Sequence, residues 1–184
     1  LSEYTDAWAS AGRMERPTCR GAVIVAVMES VLAAEQLATL ACLSKGRLIM
    51  QCALGAGRGQ FQGMGAKEKF RTSTFEESLA IIKNLWEGQT VTSDVRWNIT
   101  EARISPLPPA QIEVWIGASA DKALDRAARL GDVWLADPGS ILEDLLLKLG
   151  VYQEALERHG KEMPATLALR RDIYVAESAS DAAQ

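Results

Sequence analysis

The stretch from Val31 to Gly65 constrains this chain most, because a helix pattern, a buried-strand pattern and a glycine-rich loop follow one another there. Residues 31–44 are apolar apart from a narrow polar stripe, which predicts a mostly buried helix ending at Lys45-Gly46. Residues 47–54 form an apolar run without alternation, which is typical of a strand covered on both faces in a parallel sheet. The loop at 55–65 then lies at the carboxyl end of that strand, where ligands bind in α/β folds.

Strand and helix patterns alternate along the rest of the chain. Five buried strands are predicted, each followed by helix, which is the rhythm of a parallel α/β fold. Between them, β-branched and aromatic residues at 90–99 predict a hairpin, and the prolines at 106, 108 and 109 predict an irregular linker. The predicted strands are 21–27, 47–54, 114–116, 133–136 and 167–176, and the predicted helices are 6–11, 31–44, 73–88, 120–130 and 140–160.

Two of these helices begin with the sequence pattern of a capping box. Ser73 and Thr74 precede a pair of glutamates by three residues, and Ser140 precedes Glu143 by the same spacing. For the helix after Ser140, apolar spacing predicts a leucine-rich inner face. The leucines of that face are Leu142, Leu145, Leu146 and Leu149.

Length and charge restrict the class of protein. A chain of 184 residues can bury one core of its own, so we predict a single domain over residues 1–184. The net charge is −4 and no basic run occurs, which argues against a nucleic-acid partner. No apolar run reaches the roughly 20 residues of a membrane span, and the first residues lack a signal-peptide pattern. We therefore expect a cytoplasmic protein that does not bind membranes.

Side-chain chemistry is sparse. His159 is the only histidine and falls at a predicted helix end, which favours a structural cap and leaves no catalytic triad or metal site. Cys19, Cys42 and Cys52 have unrelated spacings, which indicates three core residues rather than a disulfide or metal pattern. Without a general base that titrates near neutral pH, the sequence favours cofactor chemistry.

Two segments could bind a phosphate group. Gly55-Ala56-Gly57 follows a strand, but the third glycine of a dinucleotide fingerprint falls at the wrong spacing, and a flexible surface loop is an equally good interpretation. Residues 117–120 (Gly117, Ala118, Ser119 and Ala120) join a strand to a helix that Ser119 is predicted to cap, so backbone N–H groups would face the mouth of the sheet. An ordinary turn fits that segment as well. Trp115 and Trp134, near strand ends, could wall an aromatic cofactor or simply pack in the core.

Several runs resemble the bacterial-luciferase-like flavin-dependent oxidoreductases. These runs are A-A-E-Q-L-A-T-L, L-S-K-G-R-L, G-R-G-Q-F-Q-G-M-G and E-V-W-I-G-A-S-A-D-K-A-L-D-R-A-A-R-L-G-D, and the similarity extends from about Arg20 to Gly160. The family fold is a (β/α)8 barrel of the TIM type. The resemblance therefore implies an α/β barrel and redox chemistry with FMN or a deazaflavin.

The resemblance also implies positions for the cofactor. Gly21 and Ala22 match a strand bulge under the flavin ring, Arg71 matches an arginine near the flavin phosphate, and Ser119 and Ala120 match backbone donors to that phosphate. We therefore expect the cofactor to bind at the carboxyl ends of the strands near Gly55 and Ser119, with Gly117 and Ala118 in the same segment. Catalytic residues cannot be assigned, because the chain has Glu29-Ser30 where relatives often have His-Pro.

The implied function is oxidation of a small organic substrate. We expect a monooxygenase that uses reduced FMN and molecular oxygen, with a separate flavin reductase as partner. A deazaflavin-dependent reductase or dehydrogenase of the same fold, and a flavin-binding protein without turnover, are the alternatives.

Five strands are too few to close an eight-stranded barrel, which needs about 250 residues. We therefore expect an incomplete barrel, either because the chain is part of a longer protein or because a second copy covers the open edges in a homodimer. An open five-stranded sheet is the remaining alternative.

Overall fold

The computed structural model describes residues 19–23, 29–55, 58–171, 175, 177 and 178. It divides into two compact units, residues 1–116 and 117–184. The predicted helix at 6–11 and parts of the first and last predicted strands lie outside the described residues. In the described part of the chain, no helix has both the length and the apolar character that crossing a membrane requires.

The first unit is built on parallel strands. Strand β2 (Leu48–Cys52) lies between β1 (Cys19–Val23) and β5 (Glu113–Gly117), with Gly21 of β1 opposite Met50 and Glu113 of β5 opposite Ile49. A short antiparallel hairpin of β3 (Val91–Ser93) and β4 (Ile99–Ala102) interrupts the path from β2 to β5 where the sequence predicts it. The elements are β1 (Cys19–Val23), α1 (Ser30–Leu43), β2 (Leu48–Cys52), α2 (Arg58–Gly63), α3 (Arg71–Trp86), β3 (Val91–Ser93), β4 (Ile99–Ala102) and β5 (Glu113–Gly117).

Helix α1 packs against α3 through a face of small side chains, and Trp86 of α3 donates a hydrogen bond to the Ala34 carbonyl at 3.0 Å. The opposite face is exposed, so the prediction of a mostly buried helix is wrong. Leu32, Leu40 and Leu43 on that face are 50%, 47% and 76% exposed. Because apolar residues occur all round the helix, periodicity alone could not indicate which side packs.

Helix α3 begins at Arg71, two residues before the predicted start, and no side chain caps it. A turn of 3₁₀ helix at Glu68–Phe70 leads into it, and the Ser73 hydroxyl donates to the Phe70 carbonyl at 3.1 Å. The predicted capping boxes are therefore wrong. Glu77 binds the hairpin instead, since it accepts hydrogen bonds from the Ser93 hydroxyl and the Arg96 N–H.

The glycine-rich segment is not irregular throughout. Its residues 58–63 form the short helix α2, and Phe61 on this helix is 1% exposed. The segment thus has an apolar anchor that its composition does not suggest.

The second unit contains two parallel strands and two helices, which pack against each other. Lys161 donates from Nζ to the carbonyls of Arg129 and Gly131, both at 3.0 Å, and so satisfies acceptors at the end of the first helix. The elements are α4 (Asp121–Leu130), β6 (Val133–Ala136), α5 (Leu142–Arg158) and β7 (Ala168–Leu169).

Helix α5 packs through its second half, where Tyr152, Ala155 and Leu156 are buried. Its predicted leucine face is wrong, because Leu142 and Leu146 are 65% and 60% exposed. The predicted cap is wrong as well. No side chain caps the helix, and the Ser140 hydroxyl accepts a hydrogen bond from Lys148 at 3.4 Å.

Asp125 joins the two helices of this unit. Its Oδ1 accepts a hydrogen bond from Arg158 at 3.0 Å and lies 3.2 Å from His159 Nε2. The hydrogen bond from Arg158, together with the contact to His159, lowers the pKa of Asp125 from its ordinary value. The ionised carboxylate therefore contributes stability above the unfolded pKa, and this contribution is lost as the pH falls through the lowered folded pKa.

We expect Asp125→Asn to reduce the free energy of unfolding by about 0.5–1 kcal/mol at pH 7, since these side chains are partly exposed. The difference from wild type should shrink as the pH falls below about 4. Urea unfolding at both pH values measures this, and Glu154→Gln, on the exposed side of α5, is the matched control. If the difference in unfolding free energy between wild type and Asp125→Asn grows on acidification, the stabilising role of the ionised Asp125 carboxylate is wrong.

The cysteines differ in their surroundings. Cys52 on β2 is 3% exposed, and burial raises the pKa of its thiol to about 12. Cys42 is exposed, contrary to the prediction of a core residue, and its Sγ lies 3.4 Å from the Leu107 carbonyl oxygen.

We expect iodoacetamide at pH 8 to modify Cys42 and to leave Cys52 intact in the folded protein, because the thiolate is the reactive form. Peptide mass spectrometry after a timed quench reads both sites. Unfolding in urea should make the two thiols react alike. If Cys52 reacts as fast as Cys42 in the folded protein, the Cys52 thiol on β2 is accessible to the reagent and the assignment of a buried thiol is wrong.

Candidate functional site

A pocket of about 520 Å³ lies beside the start of α1 and the segment between α2 and α3. Because β1 and β2 are parallel, their carboxyl ends share one edge of the sheet, the edge that binds ligands in α/β folds. Three segments line the pocket: Glu29 at the start of α1, residues 64–67, 70 and 74 between β2 and the first turn of α3, and residues 95–97 in the hairpin turn.

Arg96 is held in place from two sides. Its guanidinium carbon lies 4.3 Å from the centre of the Phe70 ring, which is a cation–π distance. Its Nε donates to the Ser73 hydroxyl at 3.0 Å. The stacked, hydrogen-bonded guanidinium is therefore positioned rather than freely rotating.

Trp97 fixes the hairpin turn against α3. Its indole N–H donates to the Ser78 hydroxyl at 2.8 Å, and Ser78 is fully buried. Together with the contacts that Glu77 makes to Ser93 and Arg96, this bond ties one wall of the pocket to the helix.

Glu29, one of the residues that line the pocket, has a structural role. Its carboxylate accepts hydrogen bonds from the Val31 and Leu32 N–H groups, at 3.1 and 2.7 Å, and so caps α1. Glu29 is thus the helix N-cap of α1 in this chain.

In the first unit, the predicted cofactor residues lie on or after the parallel strands. Gly21 and Ala22 are on β1, paired with Met50 and Gln51 in a continuous register that shows no bulge. Gly55, three residues beyond β2, has φ +78°, the left-handed conformation that favours glycine. Their contact with a cofactor stays a prediction.

Arg71 is the first residue of α3 and lies 3.7 Å from Glu68 in an ion pair. Its side chain is 42% exposed, so the guanidinium keeps donors that face outward. Its predicted role at a phosphate is untested by this arrangement.

In the second unit, residues 117–120 join β5 to α4. Ala118 is buried, and its carbonyl accepts the Trp134 indole N–H at 2.8 Å. The helix N-cap is Ala120 rather than the predicted Ser119, and no side chain caps it. The first N–H groups of α4 therefore have no side-chain acceptor, a condition that suits an anion.

The remaining candidates are structural. Trp115 and Trp134 are each 4% exposed, and the Trp134 ring packs 5.6 Å from that of Tyr152, which favours core packing. His159 is the C-cap residue of α5 and contacts Asp125. Among the described residues, no group of three or more His, Cys, Asp and Glu could hold a metal ion.

Sequence reasoning missed the pocket itself. Phe70, Arg96 and Trp97 lie in segments separated by α3, and nothing in their spacing indicates that they meet. The only available signal was the pair of basic and aromatic residues in a predicted hairpin turn, Arg96-Trp97.

The chain was compared with known proteins. It is 31% identical over 113 residues to an F420-dependent glucose-6-phosphate dehydrogenase of Beutenbergia cavernae, covering 58% of this chain and 32% of that protein. It is 29% identical over 127 residues to an FMNH(2)-dependent dimethylsulfone monooxygenase of Pseudomonas fluorescens, covering 65% and 34%. The chain thus spans about a third of the length of these curated relatives.

A solved monooxygenase from Streptomyces bottropensis superimposes with a TM-score of 0.78 at 20% identity, covering 94% of this chain and 55% of that one. This likeness shows the fold, which is the α/β fold of luciferase-like barrels over about half of its length. The model of the family described as luciferase-like monooxygenase matches residues 20–184, and we conclude that the chain belongs to this family.

Proposed function

We propose that this chain is part of a flavin-dependent oxidoreductase, a monooxygenase that uses reduced FMN and molecular oxygen on a small organic substrate. The observation that carries the proposal is the family match over residues 20–184. The FMNH(2)-dependent relative and the monooxygenase with a similar fold support this cofactor and reaction.

The chain's own groups fit a cofactor that does the redox chemistry. A bound flavin supplies electron transfer, and the protein has to bind it, orient it and exclude water. In the first unit, Gly55 allows close backbone approach after β2 and Arg71 has a partly exposed guanidinium. In the second unit, taken by itself, the first N–H groups of α4 have no side-chain cap. Cys52, held as a buried thiol, and His159, engaged with Asp125, are poor candidates for acid–base work.

A second candidate is hydride transfer with F420, a deazaflavin. The F420-dependent dehydrogenase of Beutenbergia cavernae, 31% identical over 113 residues, favours it. A flavin-binding protein without turnover is the third candidate, since the residues that would react with substrate are unassigned.

Fluorescence titration of the purified protein with FMN, reduced FMN and F420 tests the proposal. We expect reduced FMN to bind more tightly than F420, and substrate-dependent oxygen consumption to accompany its oxidation. Preferential F420 binding would favour the dehydrogenase, and flavin binding without oxygen consumption for any substrate would favour the third candidate. Absence of binding by all three cofactors would contradict the proposed function.

Charge reversal tests one predicted contact. If Arg71 binds the flavin phosphate, Arg71→Glu should weaken FMN binding by about 1–3 kcal/mol through loss of a charge-assisted hydrogen bond. Arg103→Glu, an exposed position in the linker after the hairpin, is the matched control. Equal affinities of the Arg71 variant and wild type, with unchanged melting temperature, would rule out this role of Arg71.

A further inference from the structure

The lining of the pocket beside Glu29 and the hairpin turn includes two cationic side chains, Lys67 and Arg96. Arg96 uses Nε on Ser73, which leaves its terminal nitrogens without an acceptor among the described residues. Lys67 is exposed, and its ammonium has no hydrogen-bond acceptor or ion-pair partner in the part of the chain that the structure describes. Both residues line this pocket, and their positive charges favour an anionic group there.

The carboxylate of Glu29, which also lines the pocket, does not neutralise Lys67 and Arg96. Both oxygens of Glu29 accept N–H groups at the start of α1, so the carboxylate is directed at the helix end. Glu29 contributes one negative charge against two positive charges in the lining. Because like charges repel, it also disfavours an anion on its own side and so directs one towards Lys67 and Arg96.

Apolar side chains complete the lining. Met64 is 52% exposed and Val95 is 68% exposed at the pocket, and the Phe70 ring lies under the Arg96 guanidinium. Such side chains gain from contact with an apolar or aromatic ligand body, since burial removes their surface from water. An inorganic ion without an apolar body would interact with the cations but would gain nothing from the apolar side chains.

We propose that this pocket binds an organic anion, whose carboxylate or phosphate lies between Lys67 and Arg96 and whose apolar part contacts Met64, Phe70 and Val95. The site requires neither bound flavin nor turnover and therefore goes beyond the proposed function. Its volume of about 520 Å³ falls in the range of small-molecule pockets.

Nuclear magnetic resonance on the 184-residue chain can test this, because Trp97 supplies a local reporter. Its indole N–H resonance is assigned as the signal missing from Trp97→Phe. Phenylphosphate and benzoate are the anionic probes, phenol is the neutral analogue, and inorganic phosphate is the ion without an apolar body. We expect at least one aromatic anion to shift the Trp97 signal and to bind about tenfold more tightly than phenol or inorganic phosphate.

Variants identify the cations. Lys67→Gln and Arg96→Gln should each weaken binding of the tighter anion by about tenfold, the loss of one charge-assisted hydrogen bond. Lys45→Gln removes the same charge from an exposed side chain in the turn after α1, outside the lining, and should change affinity less than about twofold. Since Arg96 also holds the hairpin turn, Lys67→Gln is the decisive variant.

Three results would overturn the proposal. These are the absence of any Trp97 shift with either aromatic anion, equal binding of phenol, and equal loss of affinity in Lys67→Gln and Lys45→Gln. Inorganic phosphate binding as tightly as phenylphosphate would also overturn it, because the apolar lining would then contribute nothing. The FMN titration of Lys67→Gln, expected to match wild type, keeps failure here separate from failure of the proposed function.

Discussion

Hydrogen bonding along both edges of β2 is the constraint on which the first unit depends. Its backbone pairs with β1 on one side and β5 on the other, and Leu48, Ile49, Met50 and Cys52 are buried. No water reaches these backbone groups, so each must be satisfied by a neighbouring strand. Parallel pairing in turn brings the chain exits from β1 and β2 to one edge, which is where the glycine-rich segment begins.

Buried strands and most helix C-termini could be predicted from the sequence. An apolar run without alternation indicates a strand covered on both faces, and a glycine marks the end of a helix, and both signals are local in the sequence. Val133–Ala136 has the predicted bounds, and α4 ends at Gly131 as expected. Helix starts were less predictable. Ser73 and Ser140 have cap-like spacing, but the Ser73 hydroxyl donates to the Phe70 carbonyl and the Ser140 hydroxyl accepts from Lys148, three and eight residues away in the chain. The exposed leucines of α1 and α5 show that apolar spacing can mark a helix face even when no other element of the described structure packs against it.

The candidate site could be predicted only in part. Gly55 was found because strand ends and glycines are local signals, and its positive φ agrees with the need for glycine. The pocket residues Phe70, Arg96 and Trp97 were not found, because their contact arises from the hairpin lying along α3, a tertiary arrangement that sequence periodicity does not encode. Glu29 was taken as a departure from the family pattern, although its physical role is to cap α1.

The attachment of the hairpin to α3 has a consequence for the order in which this unit can assemble. The contacts of Ser73, Glu77 and Ser78 with residues 93–97 span sequence separations of 16 to 23. The pairing of β2 with β5, from Ile49 to Glu113, closes a far longer segment of chain. Because loop-closure entropy rises with length and local contacts form fastest, the wall that carries Arg96 can form while the sheet is still open.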